Sequence, residues 1–128
     1  MMRLLLAAVL TSVVALGTGC SSRPSDMPEL GTVHGKVTLD GKPLSGVTIY
    51  FKPEVGRMSI AKSDEEGFYE AYYLIDEKGV KVGPCKVIVE WGIDETGPPI
   101  PPQYGVTGSL TFDVKPGDNE FNIDMKSR

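Results

Sequence analysis

The residues best suited to catalysis or metal binding are few in this chain of 128 residues. It has a single histidine, His34, and two cysteines, Cys20 and Cys85. Zinc and iron–sulfur sites take several histidine or cysteine ligands, so we expect neither a metal ion nor a cofactor. A nucleophilic catalytic set would need His34 beside a serine or Cys85 and a carboxylate, and no spacing in the chain favours that arrangement. We therefore predict no catalytic residues and no enzymatic activity.

Carboxylates are more numerous, but their pattern does not indicate a calcium site. The acidic clusters at residues 64–66 and 76–77 lack the D-x-D-x-D-G spacing of a calcium loop and are typical of solvated turns. In total, 17 Asp and Glu oppose 13 Lys and Arg, which gives a net charge of −4. A chain with this balance lacks the basic surface that follows phosphates, so we exclude nucleic acid as a partner.

The residues that precede Cys20 indicate that this cysteine is a site of lipid attachment rather than a catalytic or metal-binding residue. Arg3 is followed by an uncharged run of thirteen residues at positions 4–16. As a helix this run spans about 20 Å, which is shorter than the roughly 30 Å hydrocarbon core and typical of a signal peptide. The residues G-T-G-C at 17–20 resemble the lipobox of bacterial lipoproteins, in which the cysteine is acylated. The alternative is an ordinary secreted protein, cleaved near Gly17, with Cys20 free.

These features predict the order of segments along the chain. We expect a lipoprotein signal peptide at residues 1–19, a lipidated flexible tether at residues 20–31 and one β-sandwich domain at residues 32–128. The lipid on Cys20 would attach the protein to a membrane. The predicted location is therefore the cell envelope, on the periplasmic side or at the outer membrane.

The elements after the tether are short runs in which apolar and polar residues alternate, separated by Gly and Pro. Such alternation predicts strands with one buried and one solvated face. Seven such runs are present, at residues 33–39, 47–51, 58–62, 69–73, 85–91, 110–114 and 121–125. Turns are predicted at 40–43, 64–67 and 115–118, and Cys85 is expected to be buried and inert. The predicted fold class is all-β, a single seven-stranded antiparallel sandwich.

Three stretches resemble the carboxypeptidase regulatory-like domain. They are G-K-V-T-L-D-G-K-P-L-S-G-V at residues 35–47, S-D-E-E-G-F-Y at 63–69 and G-P-C-K-V at 83–87. The similarity extends over residues 32–126, and the C-terminal part resembles small lipoproteins of planctomycete-type bacteria. The resemblance implies a transthyretin-like (prealbumin-like) sandwich that serves as an accessory module without catalysis of its own.

Two reactions are known in similar sandwiches, and this chain lacks the residue pattern of either. Transthyretin-like hydroxyisourate hydrolases use several His and Arg and end in Tyr-Arg-Gly-Ser, whereas this chain has only His34 and ends M-K-S-R. Pilin-type sandwiches link a lysine to an asparagine with help from a carboxylate, for which Lys36, Asn122 and Glu70 would be the candidates. All three have outward parity, and that reaction needs a desolvated amine, so we do not expect the bond.

The candidate ligand face consists of Tyr50, Phe68 and Tyr72, which share outward parity on strands expected to lie near one another. Exposed aromatic rings can stack on sugars or contact a protein partner. The alternative is ordinary cross-strand pairing, or coverage by the proline-rich segment at residues 97–102. That segment is itself either a docking segment or a rigid connection between sheets, with Tyr104 holding it to the surface.

The sequence therefore predicts a non-catalytic, lipid-anchored envelope protein that acts as an interaction or structural module. Its partner would be an unknown envelope protein or polysaccharide. The alternative function is a carbohydrate-binding accessory lipoprotein that uses the exposed aromatic face. An enzyme would require a pocket around His34 or Cys85.

Overall fold

A computed structural model of the chain describes residues 27–127. The predicted signal peptide and the predicted lipid site at Cys20 lie outside the described residues. The described part forms strands throughout, apart from a 3₁₀ helix at Pro102–Tyr104. The strands are β1 Leu30–Leu39, β2 Lys42–Pro43, β3 Val47–Pro53, β4 Ser59–Lys62, β5 Phe68–Glu70, β6 Tyr72–Leu74, β7 Glu77–Lys78, β8 Val80–Lys81, β9 Gly83–Trp91, β10 Thr111–Val114, β11 Gly117–Glu120 and β12 Ile123–Met125.

The strands form two sheets. In the first sheet β1 is central, with β11 and β12 beside it in parallel and β8, β5 and β2 beside it in antiparallel orientation. The second sheet has the order β10-β9-β3-β4-β6-β7, and its pairs are antiparallel. The predicted all-β sandwich is confirmed, and β1 begins at Leu30, two residues before the expected domain boundary.

Two details of the predicted seven-stranded antiparallel arrangement differ. The first is the parallel pairing of β1, in which Gly31 faces Gly117 and Val37 faces Ile123. The partner lies at the far end of the chain, so no short turn imposes antiparallel geometry. The turn predicted at residues 115–118 is shorter in the structure: it comprises residues 115–116, because β11 already begins at Gly117.

The second difference concerns residues 68–74, which the alternation presents as one strand. The chain leaves the first sheet after β5 and enters the second sheet at β6, with Ala71 at the crossing. The Ala71 amide donates to the Val33 carbonyl (2.9 Å), and its carbonyl accepts from the Gly79 amide (3.0 Å). Since Ala71 is fully buried, the period of two continues through the crossing and conceals it.

The core lies between the sheets and is made of the inward-facing residues of β1, β3, β9 and β12. Its largest fully buried side chains are Phe51, Ile49 and Met125. The predicted Asp-Gly turn between β1 and β2 has φ of 52° at Asp40 and 84° at Gly41, the pair of positive values that a two-residue hairpin turn takes. This turn fixes the register of the first hairpin.

Candidate ligand-binding groove

An open groove lies where β5 and β6 diverge into different sheets. Its volume is about 750 Å³, and β1, β4, β5 and β6 all contribute to its lining. Three large apolar side chains in it are partly open to solvent: Ile60 (45% exposed), Phe68 (48%) and Tyr72 (38%). We call this divergence of the two sheets the open seam.

Strand register explains why these apolar side chains meet. Tyr50 faces Ile88 on one neighbouring strand and Ile60 on the other, and Ile60 in turn faces Tyr72. Cross-strand neighbours on one face lie within contact of each other. An apolar row therefore crosses the outer face of the second sheet and ends at the groove.

The three predicted face residues have different places. Phe68 and Tyr72 line the same groove, although they belong to different sheets. Tyr50 lies outside it, in a neighbouring depression of about 410 Å³ with Glu90 and Trp91. Burial, together with a hydrogen bond to Glu90, raises the pKa of Tyr50. All three residues face outwards, as their parity predicts. Their strands are not direct neighbours, because β4 lies between β3 with Tyr50 and β6 with Tyr72, and Phe68 belongs to the other sheet.

Charged side chains surround the apolar part of the groove. Lys36 Nζ lies 5.3 Å from the centroid of the Phe68 ring, and Lys78 Nζ lies 3.2 Å from Glu70 Oε1. His34 Nε2 lies 3.0 Å from Asp118 Oδ2. The Thr32 hydroxyl donates to Asp118 Oδ1 (2.7 Å); this hydrogen bond and the one to His34 lower the pKa of Asp118. The rim thus offers both signs of charge around an apolar floor.

The groove contains His34, and its other polar lining residues carry amine, carboxylate and phenol groups. Among the described residues that line the groove there is no serine, threonine or cysteine; the titratable groups beside His34 are Lys62, Asp64, Glu70 and two tyrosines. This inventory provides apolar stacking surface and hydrogen-bonding groups. It suits binding of a molecule with apolar faces and polar edges.

Cys85 lies in the core, away from the groove lining. Its side chain is 3% exposed, and its Sγ contacts the Phe112 carbonyl oxygen at 3.4 Å. Burial raises the pKa of the Cys85 thiol from 9.0 to about 11, and the hydrogen bond to Phe112 acts in the opposite direction. The thiol is therefore protonated at neutral pH, which is the unreactive form.

The isopeptide candidates make other contacts. The Lys36 ammonium lies over the Phe68 ring and Glu70 pairs with Lys78, while Asn122 is exposed and its Oδ1 accepts from the Lys36 backbone amide (3.0 Å). All three occupy the outer face, as their parity predicts.

The proline-rich segment is held by a contact that the sequence pattern did not reveal. Trp91 Nε1 donates to the Pro98 carbonyl at 2.9 Å, and a β-carbon at Gly97 would lie 2.1 Å from the Trp91 ring. Further along, the Tyr104 hydroxyl accepts from the Lys126 amide at 3.2 Å. The proline-rich segment therefore lies against the end of β9. The signal in the sequence that could have indicated this contact is Trp91, the sole tryptophan of the chain.

Within residues 27–127, no group of three or more His, Cys, Asp or Glu side chains is placed to hold a metal ion. Over the same residues, no helix has the length and apolar character needed to cross a membrane.

Comparison with known proteins supports the fold. No family model matches the chain, and no curated protein matches it. Among solved structures, the chain is similar to the crystal structure of a DUF3823 family protein from Parabacteroides merdae ATCC 43184, with 18% identity and a TM-score of 0.51. The similarity covers 77% of this chain and 46% of that protein, so the chain spans about half of its neighbour's length. At this level of identity the likeness establishes the all-β sandwich alone.

Proposed function

We propose that this chain is a non-catalytic lipoprotein of the cell envelope whose β-sandwich serves as an interaction or structural module. The observation that carries the proposal is the sequence preceding the domain: an uncharged run at residues 4–16, then Cys20, then β1 ten residues later. A short hydrophobic run of this kind marks export, and the cysteine after it is suited to acylation. The resemblance to carboxypeptidase regulatory-like domains supports an accessory role.

The anchor is tested by expressing the full chain and its Cys20→Ser variant in a Gram-negative host supplied with radiolabelled palmitate. We expect label and membrane-fraction recovery for the native chain, and loss of both for Cys20→Ser. Cys85→Ser serves as the matched control, because a buried core cysteine should not affect either readout. An unlabelled native chain in the soluble fraction would refute the anchor.

The interaction role is tested by capture. The full chain, purified in detergent, is used to retain components of solubilised envelope, and protein and polysaccharide fractions are measured together. A stoichiometric protein partner would support the interaction module. Retention of neither class would refute an interaction role and leave a structural one.

A carbohydrate-binding accessory role is the second candidate, favoured by the partly exposed Phe68 and Tyr72 rings in one groove. Aromatic rings with open faces stack on the apolar faces of sugars. We expect Tyr72→Ala to weaken polysaccharide binding about fivefold, since one aromatic contact contributes on the order of 1 kcal/mol. Tyr73→Ala is the matched control, because Tyr73 neighbours Tyr72 on β6 but does not line this groove. Equal binding by both variants would exclude the groove as the sugar site.

A further inference from the structure

One end of the sandwich gathers the start of β1, two loops and the junction of β8 with β9. Leu30 faces Lys81 across the β1–β8 pair, and the Val82 amide donates to the Glu29 carbonyl at 3.0 Å. Lys81 Nζ in turn donates to the Val55 carbonyl at 2.8 Å. We call this end, formed by residues 29–30, 54–58, 75–76 and 81–84, the tether pole, because the described chain enters the fold here.

The tether pole presents aliphatic side chains to solvent. Ile75 is 96% exposed and Val55 is 72% exposed, both in loops. Met58 and Leu74 lie beside Ile75 around a shallow depression and are also partly exposed. The three side chains around this depression form an exposed aliphatic cluster, and such clusters mark surfaces that contact another apolar phase.

The length of chain before β1 indicates what that phase is. Leu30 is the tenth residue after Cys20, with nine residues between the two. Even fully extended, they reach about 35 Å. A lipid on Cys20, which is part of the proposed function and on which this inference rests, would therefore keep the tether pole within about 35 Å of the bilayer surface.

We propose that the tether pole docks on the lipid surface, with Val55 and Ile75 inserted at the boundary between headgroups and acyl chains. The charges at this pole are mixed: Arg57 and Lys81 stand with Glu29, Glu54 and Asp76. A pole without excess positive charge gains nothing from anionic lipid, so the contact is hydrophobic and suits a zwitterionic surface. Docking would orient the sandwich with its opposite pole, around residues 91–97, towards the compartment.

The test uses the full, acylated chain purified from membranes and reconstituted in phosphatidylcholine vesicles. An environment-sensitive dye is attached through Ile75→Cys in one preparation and through Ile93→Cys in another. Ile93 is the matched control, because it is 100% exposed and lies beyond the other end of β9. Nine residues of strand span about 30 Å, so only one of the two dyes can reach the lipid when the pole docks.

We expect spin-labelled lipid to quench the dye at position 75 and not the dye at position 93. Adding Val55→Glu should lower the ratio of docked to undocked molecules about tenfold or more. Two unquenched dyes on a chain that floats with the vesicles would overturn docking while leaving the anchor intact. A chain that carries no lipid and does not float would overturn the anchor and docking together. A blue shift at position 75 in detergent-free solution without vesicles, accompanied by a dimer, would assign the pole to a second copy instead.

Discussion

Gly35 marks the closest approach of β1 to the C-terminal part of the chain. A β-carbon there would lie 2.0 Å from the Phe121 carbonyl oxygen, which is backbone and cannot rotate away. We expect Gly35→Ala to lower the free energy of unfolding by about 3 kcal/mol or more. Gly41→Ala is the comparison, because a β-carbon at Gly41 would meet open space and only the positive φ of 84° opposes it. We expect Gly41→Ala to lower the free energy of unfolding by about 1 kcal/mol. Chemical denaturation measures both, and equal losses would contradict the close approach.

The buried thiol of Cys85 gives a second prediction at this scale. Because its pKa is raised to about 11, it should react with a thiol reagent at pH 8 far more slowly in the folded chain than in denaturant. Modification of the native chain at the denatured rate would contradict burial. Mass spectrometry after timed labelling provides the measurement and separates Cys85 from Cys20.

The same thiol links stability to pH, and the sign follows from the raised pKa. The folded state disfavours the thiolate, so the contribution is complete below pH 9 and is lost as pH rises towards 11. The loss amounts to about 2–3 kcal/mol, because one pKa unit corresponds to about 1.4 kcal/mol. Burial also raises the pKa of Tyr69, so the measured quantity is the difference in slope between the native chain and Cys85→Ala. Parallel slopes for the two chains would refute the linkage.

At the scale of elements, the turn between β10 and β11 depends on one buried amide. Asn119 is 8% exposed; its Nδ2 donates to the carbonyls of Thr32 (3.0 Å) and Lys115 (2.9 Å), and its Oδ1 accepts from the Lys115 amide (2.9 Å). Asn119→Ala leaves these backbone groups unsatisfied, and we expect a loss of about 2–3 kcal/mol. Asn122→Ala removes a single exposed bond and should cost less than about 1 kcal/mol. Thermal unfolding of the two variants distinguishes them, and a larger effect at Asn122 would contradict the assignment.

Local signals in the sequence predicted the turns and strands well, but they predicted poorly which distant strands pair with each other. The Asp40-Gly41 turn followed from the conformational freedom of two adjacent residues, and the buried face of β1 followed from its alternation. The crossing at Ala71 and the parallel partner of β1 depend on which sheet a strand joins, and a period of two is the same in either sheet. Phe68 was therefore predicted to face outwards without being placed on the correct sheet.

At the scale of the molecule, the two edges of the sandwich are built differently. At one edge Phe112 of β10 stacks on Phe121, which lies between β11 and β12 of the first sheet; the ring centroids are 4.3 Å apart, and this pair joins the two sheets. At the other edge the sheets diverge around the open seam, where Phe68 and Tyr72 keep much of their surface in water. The stacked contact between the sheets and the open groove thus lie on opposite sides of the same core.

This difference predicts unequal effects for two phenylalanine truncations. Phe121→Ala removes the stacked contact between sheets and should lower the free energy of unfolding by about 2–4 kcal/mol. Phe68→Ala removes a half-exposed ring and its contact with the Lys36 ammonium, and should cost about 1 kcal/mol or less. Urea denaturation measures both losses, provided that the free energy of unfolding falls with urea concentration at the same slope in the two variants. A loss at Phe68 as large as that at Phe121 would mean that the open seam is closed in solution, and the groove would then be part of the core rather than a surface available to a ligand.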